Sequence, residues 1–337
     1  MSVTVSLCMI VKNEEKILSR CLDSICDLMD EIIIVDTGST DATKKIASGY
    51  TDKIYDFEWV DDFAKARNFA FSKACCDYIY SADADEVLDE ENRERFRKLK
   101  ENLIPDIEIV QMYYVNQLEQ GTVYNFDREL RAKLFKRIRN FTWVDPVHEM
   151  VRELPVVYDS DIEIIHMPQG EHSGRDIRLF EKASGNEGLL SARLTHMYAK
   201  ELMISGKDEE VIRAGEYFTR VAEDEATTPE TLKDAVCVIV RASYLKKDHL
   251  KMYHYALKEA AMEPASEVCY YLGEYYRDCG DLKEASVWYY NAAFETECAL
   301  NIRYKTIYSL ERLAEVFDDL GNEEAAANYR NMLKDNE

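Results

Sequence analysis

The 337-residue chain is 47% hydrophobic and 32% charged, a composition that supports a buried core in about two domains. Its formal net charge of −23 argues against nucleic acid and anionic membrane surfaces as partners. Residues 1–30 show no signal-peptide pattern, and no apolar run reaches the roughly 20 residues that a membrane span needs.

The chain begins with a strand pattern followed by a helix pattern. The near-continuous apolar run from Val3 to Val11 predicts a parallel strand buried on both faces. Asn13 is predicted to cap the next helix, because its short polar side chain precedes an acidic first turn. Apolar residues then recur at helical spacing and predict a face that packs on a sheet: Leu18, Leu22, Ile25 and Met29.

A second strand is predicted from Glu31 to Val35, and it places Asp36 at its carboxyl end. Gly38 permits a tight turn there, and Ser39 or Thr40 is predicted to cap the helix that follows.

A third short strand is predicted from Lys53 to Phe57. Asp62 is predicted to cap a helix from Phe63 to Ala74, and a fourth strand leads to Asp83. Strands that alternate with helices in this way predict a parallel sheet with right-handed crossovers. Ligands of such open sheets bind at the carboxyl ends of the strands.

The fourth strand ends in an acidic segment in which Asp83, Asp85 and Glu86 surround Ala84. Carboxylates this close repel each other unless a cation lies between them. Mg²⁺ or Mn²⁺ suits oxygen ligands and would hold phosphate oxygens on its open side. The alternative is an acidic loop that only solvates the end of a strand.

Four segments in this order resemble the glycosyltransferase family 2 domain of GT-A fold: Ser6 to Glu15, Val35 to Asp41, Asp62 to Asn68, and Asp83 to Glu86. The resemblance covers roughly residues 1–170. It is nearest to the branch in which tetratricopeptide repeats follow the domain, which includes the glycocin peptide S-glycosyltransferases. The chain is also similar to lipopolysaccharide-core glucosyltransferases.

The resemblance implies roles for residues on the donor side. Asp36 would accept a hydrogen bond from the nucleotide base, and a carboxylate, which only accepts, suits an imide N–H such as that of uracil. Arg67 would face the nucleotide, where its guanidinium suits phosphate; the alternative is a solvated helix face. Asn68 would support the pocket. Glu14 or Glu15 would touch the ribose, although a first-turn acid needs no ligand to explain it.

The resemblance also implies a metal site, with Asp83 and Asp85 as ligands of Mn²⁺ or Mg²⁺ beneath the diphosphate of a UDP-sugar. His166 and His172 flank a predicted loop. The resemblance allows one of them to be a further metal ligand or a diphosphate contact, and His166 is favoured because it ends an apolar strand.

The segment from Ile109 to Met167 is predicted to contain further strands and to shape the acceptor pocket. Within it, Trp143 to Glu149 resembles the Val-His-Glu segment of the same branch. Inverting sugar transfer needs a base for the acceptor proton, and Glu149 or Asp145 could take it. His148 offers an acid/base group or a metal ligand, the alternative being a hydrogen-bonded core histidine.

From about Gly188 the pattern is helical only. Ala265 to Cys298 matches the tetratricopeptide offsets, a second copy lies around Leu313 to Ala326, and looser copies lie around 198–221 and 235–264. The predicted organisation is a GT-A α/β domain at 1–172, a helical linker at 173–189, and tetratricopeptide-like repeats at 190–337. The repeats would serve either as an acceptor-binding platform or as a homodimerisation element.

The predicted function is inverting, metal-dependent transfer of a sugar from a UDP-sugar to a peptide or protein side chain. Two alternatives remain: the same chemistry on a saccharide or lipopolysaccharide-type acceptor, and a repeat adaptor whose transferase domain is inactive. The nine cysteines include no C-x-x-C pair, which favours reduced thiols in a cytoplasmic protein over disulfides or a zinc site.

Overall fold

Two units of different architecture make up the chain in the computed structural model, Met1–Glu171 and His172–Glu337. The first is a mostly parallel α/β sheet and the second is helical, as the predicted fold class requires. The structure describes residues 2–116, 128–151, 155–167, 173–185, 188–260 and 263–334.

The described elements of the first unit alternate between strands and helices through its first half, and strands follow. The strands are β1 Val5–Val11, β2 Glu31–Asp36, β3 Ile54–Asp56, β4 Tyr78–Ala82, β5 Glu86–Val87, β6 Ile109–Asn116, β7 Arg128–Lys136, β8 Trp143–Val144, β9 Met150–Val151 and β10 Val157–His166. The helices are α1 Leu18–Ile25, α2 Thr43–Ala47, α3 Phe63–Phe71 and α4 Glu90–Asn102.

The main sheet has the strand order β3-β2-β1-β4-β7-β6-β10-β5. Strands β1 to β4 are parallel, β7 runs antiparallel between β4 and β6, and β10 runs parallel to β6. The carboxyl ends of β1, β2, β4, β6 and β10 therefore lie along one edge of the sheet. The short strands β8 and β9 form a separate antiparallel pair.

Strand β1 is buried on both faces, and all of its residues except Ser6 are apolar. Leu7 and Met9 pack in the core on the side of α1, whereas Cys8 packs with Ala70 and Phe71 of α3 on the other side. The strand alternation thus sends successive side chains into two apolar layers, which is the pattern of a parallel sheet covered by helices.

The predicted caps have different outcomes. Asp62 caps α3 as predicted, since its carboxylate accepts a hydrogen bond from the amide of Lys65. The predictions for Asn13 and for Ser39 or Thr40 are wrong, because α1 begins at Leu18 and α2 begins at Thr43.

The reason is that the loops after β1 and β2 lie side by side and bind each other. Asn13 adopts a left-handed conformation, with φ of 58°. Its Oδ1 accepts from the amide of Thr40 at 2.8 Å, and Ser39 Oγ accepts from the amide of Asn13 at 2.9 Å. These side chains join two loops at the carboxyl ends of β1 and β2 instead of capping a helix.

The second unit consists, in its described part, of helices that pack mainly on their neighbours along the chain. They are α5 Ser173–Ser184, α6 Ala192–Ser205, α7 Asp208–Glu223, α8 Pro229–Leu245, α9 His249–Ala260, α10 Ser266–Asp278, α11 Leu282–Tyr290, α12 Ser309–Asp319 and α13 Glu323–Lys334.

The tetratricopeptide pattern places small residues where this structure needs them. Gly280 and Gly321, in the turns between paired helices, have φ of 78° and 75°, a region that favours glycine. A Cβ added at Gly273 would lie 2.5 Å from Cε1 of Tyr289 on the paired helix. The absence of a side chain at this position therefore lets α10 and α11 approach.

The segment predicted as a linker, 173–189, contains α5. This helix packs on α6, and the rings of Phe180 and Tyr198 are stacked with centroids 5.0 Å apart. Both rings are fully buried, so α5 contributes to the core of the second unit.

Candidate active site

The polar edge of the sheet is built by the ends of β2 and β4. Asp36 is the last residue of β2, and Asp83 follows directly after β4. Both strands pair with β1 in parallel register, Val11 opposite Asp36 and Met9 opposite Ala82. Two strand spacings, about 9.5 Å, thus separate acidic groups that lie 47 positions apart in the sequence.

The two carboxylate oxygens of Asp36 have different environments. Oδ1 accepts hydrogen bonds from the amides of Gly38 and Ser39, at 3.0 and 2.9 Å, and so holds the turn after β2. The residue is 2% exposed, and within the described ranges no hydrogen-bond partner reaches its buried Oδ2. This oxygen offers an acceptor to an N–H group of a ligand.

Asp85 and His166 lie together, as the prediction of a shared metal site requires. Nε2 of His166 is 3.1 Å from Oδ2 of Asp85, because β10 pairs with β5 and aligns His166 with Glu86. The ring of Tyr114 packs against that of His166, with centroids 4.8 Å apart. Oδ1 of Asp85 is buried, and it has no hydrogen-bond partner among the residues that the structure describes.

These features fit a divalent cation. A buried carboxylate oxygen without a partner is costly, and a metal ion would satisfy it. Carboxylate and imidazole donors together suit Mn²⁺ and related ions. His172, the weaker candidate, lies outside the described residues.

Arg67 connects the donor side of the edge to the predicted acceptor side. Its guanidinium donates to Oδ1 of Asp83 at 2.9 Å, to Oγ of Ser81 at 2.9 Å, and through Nε to Glu149. The side chain is only 13% exposed, so the alternative of a solvated helix face is wrong. Burial alone would lower the pKa of Arg67, but Asp83 and Glu149 raise it, and the guanidinium stays charged.

Asp83 is thus held by cations of the protein itself. Burial alone would raise the pKa of Asp83, whereas Arg67, Lys133 and Arg131 lower it below its usual range. In the described part of the chain, Asp83 does not form a compact three-ligand cluster with Asp85 and His166. The carboxylates of Asp83 and Asp85 therefore have distinct partners, an arginine and a histidine.

The turn between β8 and β9 carries the three residues predicted to act on the acceptor. Asp145 and His148 both lie in the left-handed region, with φ of 75° and 48°. His148 is exposed, so the alternative of a core histidine is wrong. Glu149 is 11% exposed on its side chain and accepts the hydrogen bond from Arg67.

Asn68 fixes the position of this turn. Its Nδ2 donates to the carbonyl oxygen of Trp143 at 2.9 Å, and its Oδ1 accepts from the amide of the same residue at 2.8 Å. The amide of Phe63, at the start of α3, donates to the carbonyl of Pro146. The side chain of Asn68 thus holds the β8–β9 turn through the backbone of Trp143, and its support of a ligand pocket stays a prediction.

Glu14 lies in the loop after β1, at the same edge of the sheet. Its amide donates to Oγ1 of Thr43 at 2.7 Å, and its carbonyl accepts from the amides of Ile17 and Leu18 at the start of α1. The structure therefore places Glu14 beside the loop of Asp36, while a ribose contact stays a prediction.

The sequence interpretation missed Lys133. This lysine is 6% exposed on β7, and its Nζ pairs with Glu86 and lies 3.4 Å from the carbonyl of Ser81. Burial raises the pKa of Glu86 to about 7, opposed by Lys133 and reinforced by Asp83. Arg131 and Lys133 lie two positions apart in the sequence, beside the apolar residues Leu134 and Phe135, and this spacing of two cations was the available signal.

Comparison with known proteins agrees with this architecture. Residues 6–153 match the family model for glycosyl transferase family 2. The chain is 37% identical over 147 residues to a TPR repeat-containing protein of Synechococcus elongatus, which covers 44% of this chain and 35% of that protein. It is 28% identical over 223 residues to the SPbeta prophage-derived glycosyltransferase SunS of Bacillus subtilis, covering 62% and 51%.

A shorter match, 33% identical over 91 residues, relates the chain to the lipopolysaccharide core biosynthesis glycosyltransferase LpsC of Rhizobium meliloti, covering 26% and 33%. The matches span between about a third and about half of these relatives' lengths.

Among solved structures, the chain is similar to TarS 1–349 of S. aureus in complex with UDP-GlcNAc, with TM-score 0.39 and 13% identity over 85% of this chain and 91% of that one. It is also similar to glucosyl-3-phosphoglycerate synthase of Mycobacterium tuberculosis with Mn²⁺ and UDP-glucose, with TM-score 0.40 and 12% identity over 54% and 77%. Among the described helices of this chain, none combines the length and hydrophobicity of a membrane-spanning segment.

Proposed function

Because residues 6–153 form a glycosyltransferase family 2 domain, we propose that this protein transfers a sugar from a UDP-sugar to a peptide or protein side chain, with inversion and with the help of Mn²⁺ or Mg²⁺. The predicted domain organisation is part of the proposal: catalysis in residues 1–172, a helical linker at 173–189, and acceptor binding by the repeats at 190–337.

The observation that carries this proposal is the pair of buried carboxylate oxygens at one edge of the sheet. Oδ2 of Asp36 and Oδ1 of Asp85 both lack a hydrogen-bond partner in the described part of the chain. One suits the imide N–H of uracil and the other suits a cation. A nucleoside diphosphate has these two features, a base at one end and a metal-binding diphosphate at the other.

The residues of the edge take the following roles. Asp36 binds the base, Glu14 lies at the ribose, and Asp85 and His166 hold the metal with Asp83 nearby. The bound cation would supply charge neutralisation for the leaving diphosphate. Arg67 lowers the pKa of Asp83 and so keeps it ionised, and it holds Glu149 in place by a hydrogen bond. Asn68 holds the β8–β9 turn through Trp143.

Inversion requires the acceptor to attack from the side opposite the leaving diphosphate, while a base removes the acceptor proton. Glu149 or Asp145 is this base, with His148 beside them on the same turn. Arg67 pairs with both Glu149 and Asp83, so a single guanidinium lies between these two carboxylates. This contact supports the assignment because the acceptor proton must be removed close to the donor.

A saccharide acceptor is the second candidate, and the similarity to LpsC favours it. The helical unit favours the peptide instead, because stacked helix pairs form extended surfaces that suit a chain-like ligand. Acidic residues outnumber basic ones from 190 to 337, so a basic or neutral peptide is expected.

The test uses the full chain and a panel of nucleotide sugars with and without Mn²⁺. The thermal transition should rise with a UDP-sugar only when the cation is present, and slow donor hydrolysis should follow. Asp85→Asn should abolish hydrolysis with the fold intact. Asp106→Asn, which makes the same change of charge at an exposed turn before β6, is the matched control.

Equal hydrolysis by the wild type and by Asp85→Asn at saturating Mn²⁺ would refute the metal role. Product configuration at the anomeric carbon, read by proton NMR, tests inversion separately. A product that keeps the configuration of the donor would contradict the base assigned to the β8–β9 turn.

A further inference from the structure

Three side chains with metal-ligand atoms meet at the amino-terminal end of the parallel strands, opposite the edge that carries Asp36. Glu31 begins β2, and Cys75 and Cys76 precede β4. One ligand atom from each residue lies within 4.8 Å of the other two. We propose that Glu31, Cys75 and Cys76 form a zinc site with one position open to solvent.

The placement of the two thiols is specific. Successive side chains of an extended segment point to opposite sides, so neighbouring cysteines in a strand cannot share an ion. Here Cys76 lies in a bend, and both sulfurs come close to the same carboxylate. In a tetrahedral zinc site the ligand atoms lie about 3.5 to 3.8 Å apart, so a small inward movement closes this one.

The carboxylate is already oriented by a surrounding shell. The side chain of Glu31 is 4% exposed, and it accepts hydrogen bonds from the amide of Cys75 at 2.9 Å and from Oγ of Ser6. Oγ of Ser6 in turn accepts from the amide of Cys76 at 3.1 Å. Such second-shell bonds orient metal ligands before the metal arrives, and they link all three ligand residues here.

The charges balance with and without the ion. Without zinc, Glu31 pairs with Lys53, and Sγ of Cys75 donates to Oε1 of Glu31 at 3.2 Å. On binding, both thiols lose their protons to solvent, and Zn²⁺ with two thiolates and one carboxylate carries a net charge of −1. The ammonium of Lys53 compensates that charge, so the site is neutral in both states.

The ligand set also defines which metal binds. Thiolates select Zn²⁺ over Mg²⁺ and Mn²⁺, which prefer oxygen, so this site and the donor edge take different ions. Cys75 is exposed, which leaves the fourth position to water. Sγ of Cys75 donates its proton to Glu31 when no metal is bound, so zinc has to displace this proton.

The inference does not depend on sugar transfer, and binding of Zn²⁺ itself tests it. The full chain, reduced and stripped of metal, is titrated with Zn²⁺ in competition with a chromophoric chelator. The wild type should bind one equivalent of Zn²⁺ at this site. The Cys75→Ser and Cys76→Ser variants should each fail to bind it. Cys279→Ser removes another exposed thiol and should keep this equivalent. The Asp85→Asn variant should also bind this equivalent of Zn²⁺, which would distinguish it from a cation bound near Asp85.

Co²⁺ supplies a second readout, because thiolate ligands give it a charge-transfer band that oxygen ligands do not. The band should appear in the wild type, and it should weaken in each single cysteine variant. If Cys75→Ser does not fold, Cys76→Ala and Glu31→Gln carry the test, with circular dichroism confirming the fold.

Two results would overturn the proposal. The first is a wild type that binds no Zn²⁺ at micromolar concentrations. The second is stoichiometric Zn²⁺ binding that persists in the folded cysteine variants or is lost in the Asp85→Asn variant. Either outcome would place the ion at another site.

Discussion

One carboxylate oxygen of Asp36 holds a turn, and we propose that the other binds the donor. Its Oδ1 holds the turn of Gly38 and Ser39, whereas its buried Oδ2 has no partner within the described residues. An alanine at this position would remove both functions together. An asparagine preserves the oxygen that holds the turn and places an N–H₂ group where the second oxygen was.

We therefore expect Asp36→Asn to fold normally and to bind the donor poorly. In this variant the N–H₂ group of the asparagine would face the imide N–H of the base, so no hydrogen bond can form between them. Loss of a charge-assisted hydrogen bond costs about 1.5–3 kcal/mol, which corresponds to a roughly 10- to 150-fold rise in the KM for the nucleotide sugar. Initial rates against UDP-sugar concentration measure this, with the thermal transition as the control. An unchanged KM, with an unchanged preference for the base, would leave Asp36 only its role in the turn.

Glu31 gives a pH dependence whose sign follows from its partners. Burial alone would raise the pKa of Glu31, but hydrogen bonds from Lys53 and Ser6 lower it from 4.5 to about 2. A folded pKa below the unfolded value means that the ionised carboxylate stabilises the fold above about pH 4.5 and that this contribution is lost as the pH falls towards 2.

The wild type should therefore exceed Glu31→Gln in urea resistance at pH 7, and the difference should shrink as the pH falls from 5 towards 3. Urea midpoints of both proteins across this range, in the absence of zinc, give the measurement. A difference that stays constant over the range would mean that Glu31 stabilises the fold through packing and not through its charge.

At the scale of elements, the ion pair between Lys133 and Glu86 ties β7 to the loop that follows β4. Both side chains are nearly fully buried, 7% and 3% exposed, and Lys133 also lies near the carbonyl of Ser81. The pair thus holds both ends of the loop that carries Asp83 and Asp85. Breaking a buried pair leaves an uncompensated charge, whereas removing both charges often costs little.

Lys133→Met is accordingly expected to lower the free energy of unfolding by about 3–5 kcal/mol, and Lys133→Met with Glu86→Gln should recover most of it. Chemical denaturation of the two single variants and the double variant completes the cycle. Additive losses in the double variant would show that the two residues do not act as a pair.

The second element to test is the contact between α10 and α11. A Cβ at Gly273 would overlap the ring of Tyr289, which is fully buried and donates to Glu274 through its hydroxyl. Ala in place of Gly gains about 1 kcal/mol of helix propensity, but overpacking a rigid core costs about 1–3 kcal/mol.

Gly273→Ala should therefore be destabilising in the wild type and neutral or stabilising in a Tyr289→Leu background, where the ring is gone. Thermal denaturation of the four proteins decides this. If Gly273→Ala stabilised the wild type, α10 and α11 could move apart without lowering the free energy of unfolding, and the close approach at Gly273 would not be needed.

At the scale of the whole molecule, each unit has its own core, and α5 shares the core of the second through Phe180 and Tyr198. A cut near Leu189 would leave the apolar face of α5 without its partner. A cut after Glu171 keeps the helix with its unit. This boundary is the one at which to test the proposed division between donor chemistry and acceptor binding.

A protein ending at Glu171 is expected to keep donor binding and slow hydrolysis and to lose most of its kcat/KM on a peptide acceptor. The repeats would bind the peptide away from the reacting atom and so offset the cost of ordering it. The measurement is kcat/KM of the short and the full chain on the same peptide acceptor. The dependence of the full chain's KM for the peptide on salt concentration tests whether its acidic residues attract the peptide. A short form as efficient as the full chain would assign acceptor choice to the first unit.

Local sequence determined much of this protein. The apolar run of β1, the strand end at Asp36, the cap at Asp62 and the turn glycines Gly280 and Gly321 all follow from periodicity or backbone preference. Each depends on neighbours a few residues away, and for that reason the βαβ order and the repeats were predictable.

Only the tertiary structure decided which side chains meet. Arg67 joins Asp83 to Glu149, 66 positions later, and Asn13 binds Thr40 instead of capping a helix. The buried Lys133 and the cluster of Glu31 with two cysteines arise in the same way. These contacts depend on strand order and on the direction of each side chain at a sheet edge. Strand order leaves no local pattern in the sequence, so a residue such as Lys133 can be noticed there but its partner cannot be identified, because the partners come from segments far apart in the chain.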